Sequence, residues 1–289
     1  MLKGTIVKGV GGTYSVYADG GILECSARGV FRKQEIRPVV GDCVIVDEGK
    51  RLLKEILPRQ NCLVRPNVSN IDQLLIVCSA VNPKPDLRLI DKLSVIASAA
   101  DIDVGICVNK TDIDTHGAAE ELFDIYKTVP YNVYLTSVSD NEGIDELMYA
   151  LYGKTTAFAG LSGVGKSSIL SIVTGGVLET GATSKIERGR HTTRHVELMK
   201  ITGSKGGFVF DTPGFSQLEI EKIPARDLWQ YFPEISRRAG QCRFSDCAHV
   251  GEKGCKIEDD LKKGLVAQSR YESYLEFYNI LKTVKEWER

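Results

Sequence analysis

The sequence predicts a multidomain chain: a small β-barrel first, a doubly wound α/β domain next, and an α-rich tail stapled by a metal. Three observations predict it. Residues 1–66 are short strand-like runs punctuated by glycines. Residues 67–222 alternate apolar strands with helical stripes around one Gly-rich strand-to-helix turn. Residues 223–289 hold three cysteines and a histidine within a short stretch.

Length and composition set the bounds. A chain of 289 residues can build two or three cores, and 43% apolar with 26% charged residues is ordinary for a globular protein. No apolar run reaches membrane-span length, and Met1-Leu-Lys-Gly-Thr5 lacks a leader's hydrophobic stretch, so a cytoplasmic protein is expected. Of eight cysteines, Cys78 and Cys107 lie in apolar runs and Cys25, Cys43 and Cys62 are scattered, which speaks against a disulfide framework. The net charge of −1 hides an offset: residues 1–66 carry 11 Lys/Arg against 7 Asp/Glu, whereas residues 67–222 carry 14 against 20. A basic first module fits an RNA-facing element, though such an offset is also common elsewhere.

In the first module, Gly4–Lys8, Thr13–Tyr17, Ile22–Cys25 and Asp42–Val46 read as strands separated by Gly11-Gly12, Asp19-Gly-Gly21 and Gly41. An OB-fold is the specific expectation, with Arg28, Phe31, Arg32 and Lys33 as a loop able to track phosphates and stack a base. Asn61 to Asn70 reads as a connector. Ile71–Cys78 is a nearly continuous apolar strand, the pattern of a sheet covered on both faces. Leu87, Ile90, Leu93, Ile96 and Ala97 form one helical stripe, and helices are expected from Gly117 to Val129 and from Gly143 to Leu151.

The chemistry lies in four motifs. Gly160-Leu161-Ser162-Gly163-Val164-Gly165-Lys166-Ser167 follows the strand Thr156–Ala159 and precedes a helical run from Ser168, the setting of a phosphate loop. There, backbone N–H groups and a helix N-terminus meet an anion, Lys166 bridges the β- and γ-phosphates, and Ser167 binds Mg²⁺. Asp211, closing Phe208–Phe210, can hold Mg²⁺ through water, and Gly214 can offer its N–H to the γ-phosphate. Asn109-Lys110-Thr111-Asp112 is the N-K-x-D pattern that reads guanine, because the Asp112 carboxylate accepts from N1–H and the exocyclic amine, donors that adenine does not offer. Ser137 stands where a backbone N–H meets guanine O6. The base-reading pieces precede the phosphate loop, so the domain is circularly permuted, an order compatible with the same site in space.

With these motifs in this order, the chain closely resembles the bacterial ribosome small subunit-dependent GTPase A family over essentially its whole length. The resemblance implies an OB-fold, a permuted GTPase domain and a C-terminal zinc subdomain. It also implies small-subunit rRNA as partner, hydrolysis stimulated by that subunit, and a role in its late maturation. Between the phosphate loop and Asp211, the stretch Gly175–Arg194 has no period, and the resemblance points to Thr192 or Thr193 as the switch residue. Phe215 stands where many GTPases carry a water-orienting Gln, so slow intrinsic hydrolysis is expected, with a partner or His191 completing the site. The competing reading is an RNA-binding GDP/GTP sensor with negligible turnover. A nucleotide kinase is disfavoured by Asn109–Asp112.

Cys242-x4-Cys247-x-His249-x5-Cys255 supplies three thiols and an imidazole, the ligand count of a closed, structural Zn²⁺ site. Tyr271, Tyr274, Leu275, Tyr278 and Leu281 follow at helical spacing, and Trp229, Tyr231 and Phe232 read as anchors. A monomer of three domains, 1–66, 67–222 and 223–289, is expected.

Overall fold

The computed structural model describes residues 1–27, 31, 37–64, 67–176, 196–203, 205–211 and 220–284. The chain divides into two compact units, each described by itself. The first comprises Met1–Leu74, Asp145–Ala159 and Lys166–Phe215, and the second Leu75–Ile144, Gly160–Gly165 and Ser216–Arg289.

The first unit opens with β1 (Leu2–Val10), β2 (Thr13–Ala18), β3 (Gly21–Ala27), β4 (Cys43–Asp47) and β5 (Leu52–Ile56), which close into a barrel in the order β1-β2-β3-β5-β4. Antiparallel pairs dominate, and the β3–β5 pair is parallel through Ser26↔Leu52 and Ala27↔Leu53. Alternation fills the interior with Ile6, Val16, Cys25, Val44, Val46 and Leu53, and Phe31 from the loop joins the same buried cluster, so this ring packs inward and is not presented to stack a base. The predicted connector contains a hairpin, β6 (Cys62–Val64) with β7 (Asn67–Ser69). Fully buried Asp42 ties it to the barrel, accepting from Val39 N at 2.8 Å, Ser69 Oγ at 2.6 Å and Arg59 Nε at 2.7 Å.

β8 (Gln73–Ser79) begins in this unit, where Gln73 Nε2 donates to Thr156 Oγ1 of β11 (Thr155–Ala159). β11 pairs in parallel with β13 (Phe208–Asp211), which pairs antiparallel with the short β12 (Met199–Lys200). A bulge at Val7 turns its carbonyl toward Leu198 N at 2.8 Å, and Lys200 Nζ donates to Tyr17 Oη at 2.7 Å.

In the second unit, β8 continues beside β9 (Asp103–Asn109), and β9 pairs in parallel with β10 (Asn132–Thr136). All seven residues of β8 are buried, as expected for a strand covered on both faces. Two crossover helices are α1 (Leu87–Ala99), capped by the Asp86 side chain on Leu89 N, and α2 (Ala118–Tyr126); α3 (Ile144–Leu151) follows β10 and from Asp145 on belongs to the first unit. The tail adds α5 (Pro233–Ser236), α6 (Lys256–Lys262) and α7 (Gln268–Thr283), whereas α4 (Lys166–Val173), after the Gly-rich turn, belongs to the first unit. On α7, Tyr274, Phe277 and Leu281 are buried with Phe232, Ile257 and the α1 residues Val95 and Ile96. The helical spacing thus serves a core face. No helix among the described residues is long and apolar enough to cross a membrane.

Candidate functional site

β9 delivers its last residue, Asn109, buried at the strand's carboxyl end. Its amide is spent on structure: Nδ2 donates to Val164 O at 2.9 Å, and Oδ1 accepts from Thr136 Oγ1 at 3.2 Å. Lys110, left-handed at φ 66°, sends Nζ to Asn82 O at 2.6 Å and Gly163 O at 2.7 Å. Both residues therefore fasten the Gly160–Gly165 loop to the end of β9.

Two glycines explain why the loop can lie so close. A Cβ on Gly160, at φ +141°, would sit 2.0 Å from Val77 O, and one on Gly165, at φ +101°, would sit 2.1 Å from Asn109 Nδ2. Neither approach tolerates a side chain. A Cβ on Gly163 would meet only Pro83, at 3.9 Å, while Ser162 is exposed and Leu161 half-buried at the turn. Lys166, Ser167 and Ser168 form the first turn of α4, with both serines exposed.

Thr111 and Asp112 lie in a 3-10 turn, Thr111–Ile113, that exposes Asp112. Asp112 Oδ1 accepts from Ser137 Oγ at 2.8 Å, leaving Oδ2 without a partner among the described residues. Ser137 Oγ also accepts from Asp140 N at 3.1 Å. The Ser137 N–H, expected to face the base, instead donates to Glu142 O at 3.0 Å, and Glu142 N returns the bond. Ser137 thus orients the Asp112 carboxylate through its hydroxyl, and the next amide, Val138 N–H, has no partner among the described residues. The isolated bridge that consumes the Ser137 amide leaves no mark in the sequence.

Asp211 is the last residue of β13, paired with Phe158 and described by its backbone alone. Gly214 and Phe215 lie outside the described residues, as do His191, Thr192 and Thr193 and the barrel-loop residues Arg28, Arg32 and Lys33.

A second centre lies between α5 and α6, where Arg237 to Cys255 form no helix or strand. The ligand atoms of Cys242, Cys247, His249 and Cys255 all lie within 4.8 Å of one another, with His249 Nδ1 3.4 Å from Cys242 Sγ and 3.6 Å from Cys255 Sγ. This cluster could hold a metal ion. A tetrahedral ion with metal–sulfur bonds of about 2.3 Å sets its ligand atoms about 3.8 Å apart, so the group fits with little adjustment. Around it, Lys256 N points at Cys242 Sγ at 3.3 Å, Glu252 accepts from Ala248 N and Val250 N, and the Trp229 ring meets His249 edge-on. Burial lowers the His249 pKa and pushes the Cys247 thiol up to about 12. A cation is what would hold the sulfurs as thiolates.

A parallel sheet carrying a phosphate-loop turn and an N-K-x-D strand end, with the base-reading strands earlier in the chain than the loop, defines a circularly permuted P-loop GTPase. The chain belongs to the RsgA GTPase family: the RsgA GTPase model matches residues 56–221 and the RsgA N-terminal domain model residues 3–51. The small ribosomal subunit biogenesis GTPase RsgA of Alkaliphilus metalliredigens is 43% identical, over 98% of each chain. The crystal structure of YjeQ from Thermotoga maritima superposes with a TM-score of 0.84 at 34% identity, covering 98% of this chain and 99% of that one. YloQ, described as a circularly permuted GTPase, superposes at 0.82 with 35% identity, covering 99% and 96%.

Proposed function

We propose that this GTPase works in late maturation of the small ribosomal subunit, which stimulates its hydrolysis of GTP to GDP and phosphate. The observation that carries this reading is the full-length likeness to a relative named for small-subunit biogenesis. The local geometry supports the base specificity. Asp112 Oδ2 and the Val138 N–H have no partner among the described residues, so the carboxylate can accept from guanine N1–H and amine while Val138 meets O6. The N–H groups of Gly163, Val164 and Gly165 would cradle the phosphates, with Gly160, Leu161 and Ser162 shaping the turn.

Lys166 would bridge the β- and γ-phosphates, and Ser168 would lie against the α-phosphate side. Ser167 and Asp211 would hold Mg²⁺, which neutralises phosphate charge when bound. Gly214 would meet the γ-phosphate, Thr192 or Thr193 would be the switch residue, and His191 a candidate to orient water. Cys242, Cys247, His249 and Cys255 would hold one structural Zn²⁺. Three domains at 1–66, 67–222 and 223–289 are supported by the closed barrel and by the metal cluster in the tail. The barrel and the zinc module would contact rRNA, and the protein would act as a cytoplasmic monomer.

Multiple-turnover GTP hydrolysis with and without purified small subunits tests the reading. Stimulation of at least about 10-fold is expected, well inside the range that a completing partner supplies in other GTPases. Equal rates in both arms would leave the enzyme without its proposed activator. For the metal, Cys255→Ser should abolish bound zinc by atomic absorption and raise proteolysis between residues 237 and 255. A variant that keeps stoichiometric zinc would exclude this ligand set.

A further inference from the structure

β8 ends at Ser79, a fully buried serine, and the chain then turns away toward α1. The strand end has no room to shift, because Val77 O lies so close to Gly160 that an added Cβ there would sit 2.0 Å from it. Ala80 N donates to Asn109 O at 2.9 Å, so the turn departs from the end of β9. From there to Leu87 no strand or helix fixes the backbone. The Ser79 hydroxyl fixes it instead. Its Oγ accepts from Val81 N at 3.3 Å and from Asn82 N at 3.0 Å, and donates to Asn82 O at 3.0 Å. A hydroxyl has one donor and two acceptor sites, and all three are spent on this turn.

Asn82 O accepts a second bond. Lys110 Nζ donates to it at 2.6 Å and to Gly163 O at 2.7 Å, so one ammonium ties the turn after β8 to the Gly-rich loop. A carbonyl oxygen has two lone pairs, and here one takes the serine hydroxyl and the other the lysine. Ser79 thereby sets where the first acceptor of Lys110 stands. Val81, Asn82 and Gly163 are all exposed, so burial holds neither turn in place. Every member of this chain of contacts lies in the second unit.

We infer that Ser79 is a positioning residue for nucleotide binding, acting through the Asn82 carbonyl and Lys110 on the Gly160–Gly165 loop. Its hydroxyl has no capacity left for a ligand, so the effect is indirect. What it supplies is preorganisation. A loop already held in place by the lysine has less freedom to lose when phosphates arrive, and affinity is higher by that difference. Ser79 has this role only if Asn109–Asp112 and Gly160–Ser167 form the nucleotide site, as the proposed function requires. It belongs to neither motif.

The test is a double-mutant cycle read by fluorescent GDP binding to the full chain, with melting temperatures recorded to establish folding. Ser79→Ala should weaken GDP by about 10-fold, and Ser79→Cys, with a weaker donor in the same place, by about 3-fold. Lys110→Met keeps the methylenes, removes the ammonium and should weaken GDP by about 10-fold or more. In that background Ser79→Ala should cost less than about 2-fold, because the contact it serves is gone, whereas a general loss of packing would carry over undiminished. Ser94→Ala, at a buried serine of α1 whose hydroxyl donates to Asp91 O at 2.8 Å, should lower the melting temperature and leave GDP affinity unchanged. Wild-type GDP affinity in both Ser79 variants would overturn the role of Ser79, as would additive losses in the cycle or an equal loss in Ser94→Ala. Lys110→Met binding GDP like the wild type would remove the nucleotide site itself, and Ser79 with it.

Discussion

Replacing Asp112 by asparagine should weaken GDP and GTP binding by about 100-fold or more and raise affinity for the xanthosine nucleotides. The carboxylate would accept two hydrogen bonds from guanine, and bonds to a charged acceptor are worth about 1.5–3 kcal/mol each. At about 1.4 kcal/mol per tenfold, losing even one such bond and facing its donor with an amide costs two decades. Xanthine carries an oxygen where guanine carries its amine, so the asparagine N–H restores complementarity. The swap is isosteric, and asparagine Oδ1 can still accept from Ser137 Oγ, which holds this side chain at 2.8 Å. Titration with fluorescent GDP and its xanthosine counterpart reads both arms. GDP affinity within about 3-fold of wild type would remove Asp112 from guanine recognition.

The largest effect on stability is expected at Arg270. Its guanidinium is fully buried, with Nε on Glu234 Oε1 at 2.8 Å and Nη1 on Asp91 Oδ1 at 2.8 Å. The Tyr126 hydroxyl also donates to Asp91 Oδ1, at 2.8 Å. Arg270→Met should lose about 3–5 kcal/mol, because two buried carboxylates would be left without their cation. The deficit should depend on pH. Burial already holds the Asp91 carboxyl above its ordinary value, against the pull of Arg270. Removing the cation raises it further, so the folded variant binds more protons than the unfolded chain above about pH 4, and its stability falls as pH rises. Urea unfolding at pH 5 and at pH 8 should show the smaller deficit at the lower pH. A loss below about 1 kcal/mol at both would mean the network contributes nothing net.

What could be read beforehand follows the range of the interactions. Asn109 to Asp112 and Gly160 to Ser167 are contiguous signals, and the strand-to-turn-to-helix setting around them is dictated by local pattern. Leu87 to Ala97 likewise announces α1 by its period. The barrel was only four-fifths visible. β5, Leu52–Ile56, alternates weakly; it returns antiparallel along its neighbour β4, and only two residue pairs tie it to the distant β3 to close the barrel. The hairpin within residues 61–70 reads as a connector because its strands are three residues each. At the base site, a hydroxyl and an amide of the same serine exchanged duties through a bridge to Glu142. Arg270, Glu234 and Asp91 carry no common motif. Only the docking of α7 and α5 on α1 assembles them.

The shuffled order has a consequence for how the chain is born. Asn109 spends its amide on Val164, 55 residues downstream. A translating ribosome adds about 5–20 residues per second, so Asn109 leaves the exit tunnel about 3–11 seconds before the turn that satisfies it. Throughout that interval the proposed base pocket would lack its floor. With Asp211 as a proposed Mg²⁺ ligand, nucleotide capture would be a late event of synthesis, following emergence of the strand that ends there.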